Sequence, residues 1–248
     1  MKNHFLKISF KISVMETKLP IYLLAGGPGA KRLSPDPLLQ MALKELDKAK
    51  PSVAYIGAAH GDSKVFYLFI KHLIVAAGAG KVELVPLAKK NSDIEKAQSI
   101  IRTADCIFVS GGDVKEGMRV LAEQSVIPLI KKRYEEGTLI IGVSAGSIML
   151  AKQWIDWPDE NDNDSAELFP CMNIAPVLCD THGEDDKWNE LHSLVRLTKE
   201  EEIGYGIPSG GALRISPDGA VEAIGLPLFR IEKKKGNIAQ INDLANSR

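Results

Sequence analysis

The sequence predicts a doubly wound α/β fold, a mostly parallel sheet flanked by helices, and three observations predict it. Short apolar runs of strand length recur along the chain. Most are apolar at every position, as parallel strands covered on both faces require, rather than alternating as half-exposed strands do. Helical patterns fill the intervals between them, giving the strand-helix-strand order of right-handed crossovers. In such a fold the site lies beyond the carboxyl ends of the strands.

Strands are expected at 21–25, 53–58, 82–86, 106–109, 139–143 and 174–179, and helices at 37–49, 64–77, 92–103, 114–123 and 126–136. After Gly204 the pattern changes. The stretch 212–225 reads as two strands around Pro217-Asp218-Gly219, a C-terminal antiparallel hairpin at the sheet edge. The acidic stretch 156–167 is expected to be an exposed loop. Residues 1–14 interrupt every apolar run with Lys or Ser, so they form neither a signal core nor a membrane span. They read as a disordered extension or an upstream start, with Met15 opening a single hydrolytic domain over 15–248.

With 248 residues, 45% apolar and 25% charged, the chain can bury one sizeable core. A net charge of -1 and a pI near 6.5 give no electrostatic reason to expect nucleic acid or an anionic membrane as partner. Three cysteines without C-x-x-C spacing argue against zinc or redox chemistry and suit a reducing, cytoplasmic setting. No metal and no cofactor is expected. The expected partner is a small peptide substrate, and a homodimer is among the assemblies the sequence allows.

The segment Gly142-Val143-Ser144-Ala145-Gly146 matches the nucleophile elbow, in which small residues permit a sharp strand-to-helix turn that projects a Ser hydroxyl. The apolar strand 139–143 enters it, and a helix over 147–154 is expected to leave. Ser144 is therefore the candidate nucleophile.

A Ser hydroxyl needs a base. His182 ends the buried run 175–179 plus Asp180 and Thr181, and is expected on the same sheet edge as the elbow. His60 also follows a strand and is the second candidate, whereas His4, His72 and His192 fall in the leader or within helices. Asp159, Glu160, Asp162 and Asp164 lie between Ser144 and His182 and offer an orienting carboxylate; the sequence leaves the choice open. Gly111 and Gly112 close the run Phe108-Val109-Ser110, where glycines let backbone N-H groups approach a carbonyl; with the N-H of Ala145 they would form an oxyanion hole. The following Asp113 equally suits a helix N-cap. Asp113, Asp180 and Thr181 are expected to bind substrate. The glycine-rich run after the first strand lacks nucleotide-binding spacing.

The motifs FVSGGD (108–113), GVSAG (142–146), CDTH (179–182), GYGIPSGGALRI (204–215) and GAVEAIG (219–225), in this order and spacing, resemble the serine peptidase family of dipeptidase E and cyanophycinase over about residues 20–226. The resemblance implies the class I glutamine amidotransferase-like, flavodoxin-like sandwich with Ser in place of Cys. It implies Ser144 as nucleophile, His182 as base, Gly112 and Ala145 as oxyanion donors, Asp159 or Glu160 as third member, and cleavage of a peptide or isopeptide bond beside an aspartyl residue. The chain departs from the pattern after His182. Where cyanophycinase carries arginines that hold a carboxylate, the sequence reads Gly183-Glu184-Asp185-Asp186-Lys187-Trp188. Val114 replaces a polar position, and Ser209 stands where many relatives have an acid. Recognition of a carboxylate needs a cationic fork, so a neutral or cationic substrate group is expected near Glu184 to Asp186. Two alternatives differ in class: a catalytically silent binding or regulatory member of the same fold, and an α/β-hydrolase esterase. The second normally places its His near the chain end and an oxyanion segment before the elbow.

Overall fold

A computed structural model describes residues 18–26, 35–159, 162, 165–199 and 201–247. Its frame is β1 (Ile21–Leu24), α1 (Pro37–Lys44), β2 (Ser52–Ile56), α2 (Lys64–Ala76), β3 (Lys81–Val85), α3 (Ile94–Thr103), β4 (Cys106–Val109), α4 (Val114–Glu123), α5 (Ile127–Glu135) and β5 (Leu139–Val143). These are followed by α6 (Ala145–Leu150), β6 (Gln153–Asp156), β7 (Glu167–Pro170), β8 (Leu178–Thr181), α7 (Asn189–Leu197), β9 (Glu202–Ile207), β10 (Ala212–Ile215), β11 (Val221–Ile224), β12 (Leu228–Lys234) and β13 (Asn237–Leu244).

The main sheet has the order β11-β10-β1-β5-β4-β2-β3. Strands β1, β5, β4, β2 and β3 are parallel. The expected hairpin, β10 and β11, adds antiparallel beside β1. The two-sided apolar character of the strands is explained by what covers each face. Ile21, Leu23, Ile56, Ile107 and Ile140 pack with residues of α3, α4, α5 and α6. Tyr22, Leu24, Tyr55, Phe108 and Ile141 face α1 and α2. Successive residues of one strand thus enter opposite cores, as the period of two demands. Helix starts follow local chemistry: Asp36, Ser63, Asp93 and Asp113 each accept a backbone N-H in the first turn of α1, α2, α3 and α4.

Three expectations are corrected. The helix after the elbow ends at Leu150 rather than Trp154, and the chain turns into the β6-β7 hairpin. Residues 174–177 explain why: the N-H groups of Ile174 and Ala175 both donate to the Leu150 carbonyl, and Lys152 donates to Val177, so this segment closes the end of α6 instead of forming a strand. The strand itself is Leu178–Thr181. It belongs not to the main sheet but to a second sheet of order β13-β12-β9-β8, where it runs parallel to β9. A small separate core of Leu178, Trp188, Leu191, Leu194, Val195 and Ile231 fastens α7 to that sheet. The acidic stretch connects β6 to β7, and within it Pro158, Asp159 and Asp162 are exposed.

The elbow depends on a backbone approach that only glycine permits. A Cβ on Gly146 would lie 2.0 Å from the Val109 carbonyl oxygen, so Gly146→Ala should lower the free energy of unfolding by about 2–3 kcal/mol. Urea denaturation of the two proteins measures this, and an unchanged midpoint would show that α6 is free to back away from β4.

Candidate active site

Strand β5 delivers Ser144 at φ 55° and ψ -126°, a region that costs a non-glycine residue roughly 1–3 kcal/mol and persists only where neighbours impose it. Three hydrogen bonds do so. The Ser144 N-H donates to the Leu24 carbonyl at 2.9 Å, the Ser147 hydroxyl donates to that same oxygen at 2.8 Å, and the Ser144 carbonyl accepts from the Ser147 N-H at 2.8 Å. Ser144 occupies the N-cap of α6, yet its side chain makes no capping hydrogen bond, so the half-buried hydroxyl is not committed to the helix.

Strand β4 ends beside it. A Cβ on Gly111 would fall 3.0 Å from Ser144 Cβ and 3.4 Å from its Oγ. Gly112 adopts φ 140°, and a Cβ there would overlap the Ala59 carbonyl oxygen at 2.2 Å. The Asp113 N-H donates to that oxygen at 2.8 Å, and the Asp113 carboxylate accepts the Glu116 N-H at 2.7 Å, which makes it the cap of α4. Among the described residues the Gly112 N-H donates to no protein acceptor.

His182 follows β8 with φ 64° and an exposed side chain. Its N-H donates to the Ile207 carbonyl, and its Nδ1 lies 2.9 Å from Ser209 Oγ. The Ser209 N-H donates to Glu184 Oε1 at 2.5 Å. The loop carrying Ser209 is tied to the main sheet, because the Gly210 N-H donates to the Gly26 carbonyl at 2.7 Å and the Ala25 N-H to Gly211. A Cβ on Gly26 would lie 3.3 Å from Val143, the residue before Ser144. The hydroxyl that meets the His182 ring thus belongs to a loop tied to the end of β1, the neighbour of β5.

His60 is held elsewhere. The Ser63 N-H donates to its Nδ1 at 3.2 Å, so Nε2 carries the proton and donates to the Tyr55 hydroxyl at 2.8 Å. That hydroxyl in turn donates to Ser110 Oγ at 2.9 Å. Burial lowers the His60 pKa, which favours this neutral, fully bonded ring. His72 is exposed on α2 and His192 is half-buried near Phe229; His4 lies outside the described residues.

Asp159 is exposed, and its backbone exchanges hydrogen bonds with the Ser165 hydroxyl. Glu160 and Asp164 lie outside the described residues. Asp180 is buried on β8, and its Oδ1 accepts the Thr181 N-H at 2.7 Å; Thr181 itself is half-buried. Burial, with the negative charges of Glu190, Asp186 and Glu184 nearby, pushes the Asp180 carboxyl up to about 7. Burial also pushes the Cys171 thiol up to about 12 and raises Cys106 and Cys179 further, which leaves these thiols protonated and unreactive. The hydrogen bonds of Ser209 to the His182 ring and to Glu184 were not anticipated from the sequence, nor was the Tyr55-Ser110 hydrogen bond. The place of Ser209, where many relatives have an acid, was the available signal for the first.

Among the described residues no group of three or more His, Cys, Asp or Glu could hold a metal ion, and no helix is long and apolar enough to cross a membrane.

Comparison with known proteins places these features in context. The sequence profile of peptidase family S51 matches residues 22–223. An uncharacterized peptidase of Bacillus subtilis, YgaJ, is 24% identical over 230 residues, covering 88% of this chain and 95% of its own. Peptidase E of Salmonella gallinarum is 28% identical over 130 residues, 49% of this chain and 55% of its own. Cyanophycinase of a Nostoc species is 23% identical over 155 residues, 60% of this chain and 52% of its own. Among solved structures, a peptidase from an acI-B1 actinobacterium superposes with a TM-score of 0.66 at 16% identity, covering 92% of this chain and 98% of that one. A putative peptidase E from Listeria monocytogenes gives 0.61 at 18% identity, covering 84% and 99%. The fold is therefore that of peptidase E-type proteins.

The carboxyl of Asp180 has a testable consequence. Its folded pKa, about 7, exceeds the unfolded value of 3.8, so the folded state binds the extra proton between those limits and stability falls as pH rises through 7. The Asp180→Asn protein should lose this slope. The difference in unfolding free energy between wild type and variant should change by on the order of 2–3 kcal/mol between pH 5 and 8, and thermal or urea denaturation across that range checks it.

Proposed function

Because the chain belongs to peptidase family S51, we propose that it is a serine peptidase that cleaves a peptide or isopeptide bond in a small peptide through an acyl-enzyme formed on Ser144. The observation that carries this reading is Ser144 itself: a hydroxyl at the apex of a strained elbow, uncommitted to helix capping and packed against Gly111.

In this reading His182 takes the Ser144 proton as Oγ attacks the substrate carbonyl, and returns it to the departing amine. The oxyanion that develops on the carbonyl is met by the N-H groups of Gly112 and Ala145, with Gly111 leaving room for the substrate. A water molecule, activated by the same His, then hydrolyses the ester. Asp113, engaged as the cap of α4, contributes by fixing the start of that helix. The esterase alternative finds no support in the peptidase relatives.

The charge beside His182 bears on substrate choice. Glu184, Asp185 and Asp186 are all exposed there, and an anionic side chain or terminus brought to this place would meet like charge. Neutral or cationic groups are the preferred neighbours.

A fluorophosphonate probe should label wild-type Ser144 and fail to label Ser144→Ala, and His182→Ala should reduce labelling and kcat/KM on the order of 10³-fold or more. An inert wild-type serine would instead support the silent-scaffold alternative. In a dipeptide panel, neutral and basic peptides should be hydrolysed faster than Asp-Leu; rapid Asp-Leu cleavage with no turnover of the others would overturn the substrate preference.

A further inference from the structure

We infer that Glu184, acting through the Ser209 hydroxyl, is the acidic group that sets the tautomer of the His182 ring. The inference rests on the reading of His182 as the base of the site, and it makes Ser209 and Glu184 positioning residues.

Donor and acceptor inventory gives the direction of the relay. A Ser hydroxyl has one proton and can also accept, so beside Nδ1 it is ambivalent: it could donate to the ring or accept from it. An ionised carboxylate can only accept. Burial raises the Glu184 carboxyl, but the Ser209 amide and hydroxyl, its own backbone and the charge of His182 together hold it below its ordinary value, so it is ionised at neutral pH. It takes the Ser209 N-H at 2.5 Å, which sets the carboxylate against the same residue whose hydroxyl meets the ring. With its proton directed to Glu184, Oγ presents a lone pair to Nδ1 at 2.9 Å. The ring then carries its proton on Nδ1, and Nε2 is left with the lone pair a general base requires.

Both ends of the relay are anchored. The turn bearing Glu184 is closed by the Trp188 N-H donating to Gly183 and by Asp186 Oδ1 accepting the same N-H. Trp188 is buried and stacks on Phe229 at 5.6 Å, and a Cβ on Gly183 would lie 2.6 Å from its ring. The Ser209 loop is held by Gly210 to Gly26 and by Gly211 to Pro208. A carboxylate in direct contact with the ring is thus replaced by a hydroxyl plus a carboxylate, drawn from two loops that the second sheet brings together.

The test reads the ring as well as the reaction. ¹⁵N chemical shifts of His182, taken where the ring is neutral, should report the Nδ1-H tautomer in the wild-type protein. They should shift toward the Nε2-H form in both Glu184→Ala and Ser209→Ala. In the same variants kcat should fall on the order of 10- to 100-fold, with KM nearly unchanged, and the double variant should be no worse than either single one. Introducing Ser209→Asp into the Glu184→Ala protein should restore the Nδ1-H tautomer and part of kcat by returning a carboxylate to the ring. Wild-type tautomer and kcat retained in Glu184→Ala would overturn the inference, as would the same losses appearing in Asp159→Asn while Glu184→Ala is unaffected. The tautomer is measurable without turnover. A wild-type protein with the Nδ1-H ring but no peptidase activity would therefore refute the proposed function while upholding the relay.

Discussion

The carbonyl oxygen of Leu24 is the point on which the site depends. It accepts the Ser144 N-H and the Ser147 hydroxyl, and between them these bonds hold the elbow in a backbone conformation that a serine would otherwise leave. Leu24 can serve because β1 lies directly beside β5, with Leu24 in register with Val143. The strain at Ser144 is thus balanced by the most buried part of the sheet, where Ile21, Tyr22 and Leu23 are fully enclosed. Removing α6 from its close approach to Val109 would loosen both supports together.

The second sheet has a different role. It contributes no residue to the elbow, yet it carries His182 just after β8 and the Ser209 loop after β9. Because these strands are parallel neighbours, with Thr181 paired to Ile207, the residues that follow them emerge side by side. The hydrogen bonds from Gly210 to Gly26 and from Ala25 to Gly211 join this pair to the end of β1. In the mechanism proposed above, the nucleophile and the base would come from two sheets, and the geometry of the site would rest on the seam between them.

How far the sequence revealed this follows from where the signal is local. The runs 106–109 and 139–143 are bounded by polar or glycine residues and enter two cores, so their limits were readable to the residue. The elbow was legible because glycine at 142 and 146 reports a backbone approach directly. The run 174–179 misled, since Ile174 and Ala175 are apolar for a reason unrelated to strand pairing: they close α6. Strands β12 and β13 were missed because β13 is mostly exposed and β12 carries Lys233 and Lys234, leaving little hydrophobic pattern to read. The partner of His182 was hidden for a further reason. A hydroxyl 27 residues away in sequence has no spacing rule that ties it to a histidine, and a carboxylate two residues from the ring looks like ordinary surface charge.

The Ala59 carbonyl, which presses against Gly112 and accepts the Asp113 N-H, has an implication for mutational scans of this chain. Ala59 sits in a short turn after β2, beside the bonded ring of His60, and the proposed mechanism gives it no role. Its position nevertheless determines where the Gly112 N-H points, and if that N-H is the oxyanion donor proposed above, a displacement of an ångström there would be enough to misplace it. Loss of activity on altering this turn would therefore mimic a lesion in substrate contacts. A map of sensitive positions would draw the functional boundary one layer of backbone wider than the groups that meet the peptide.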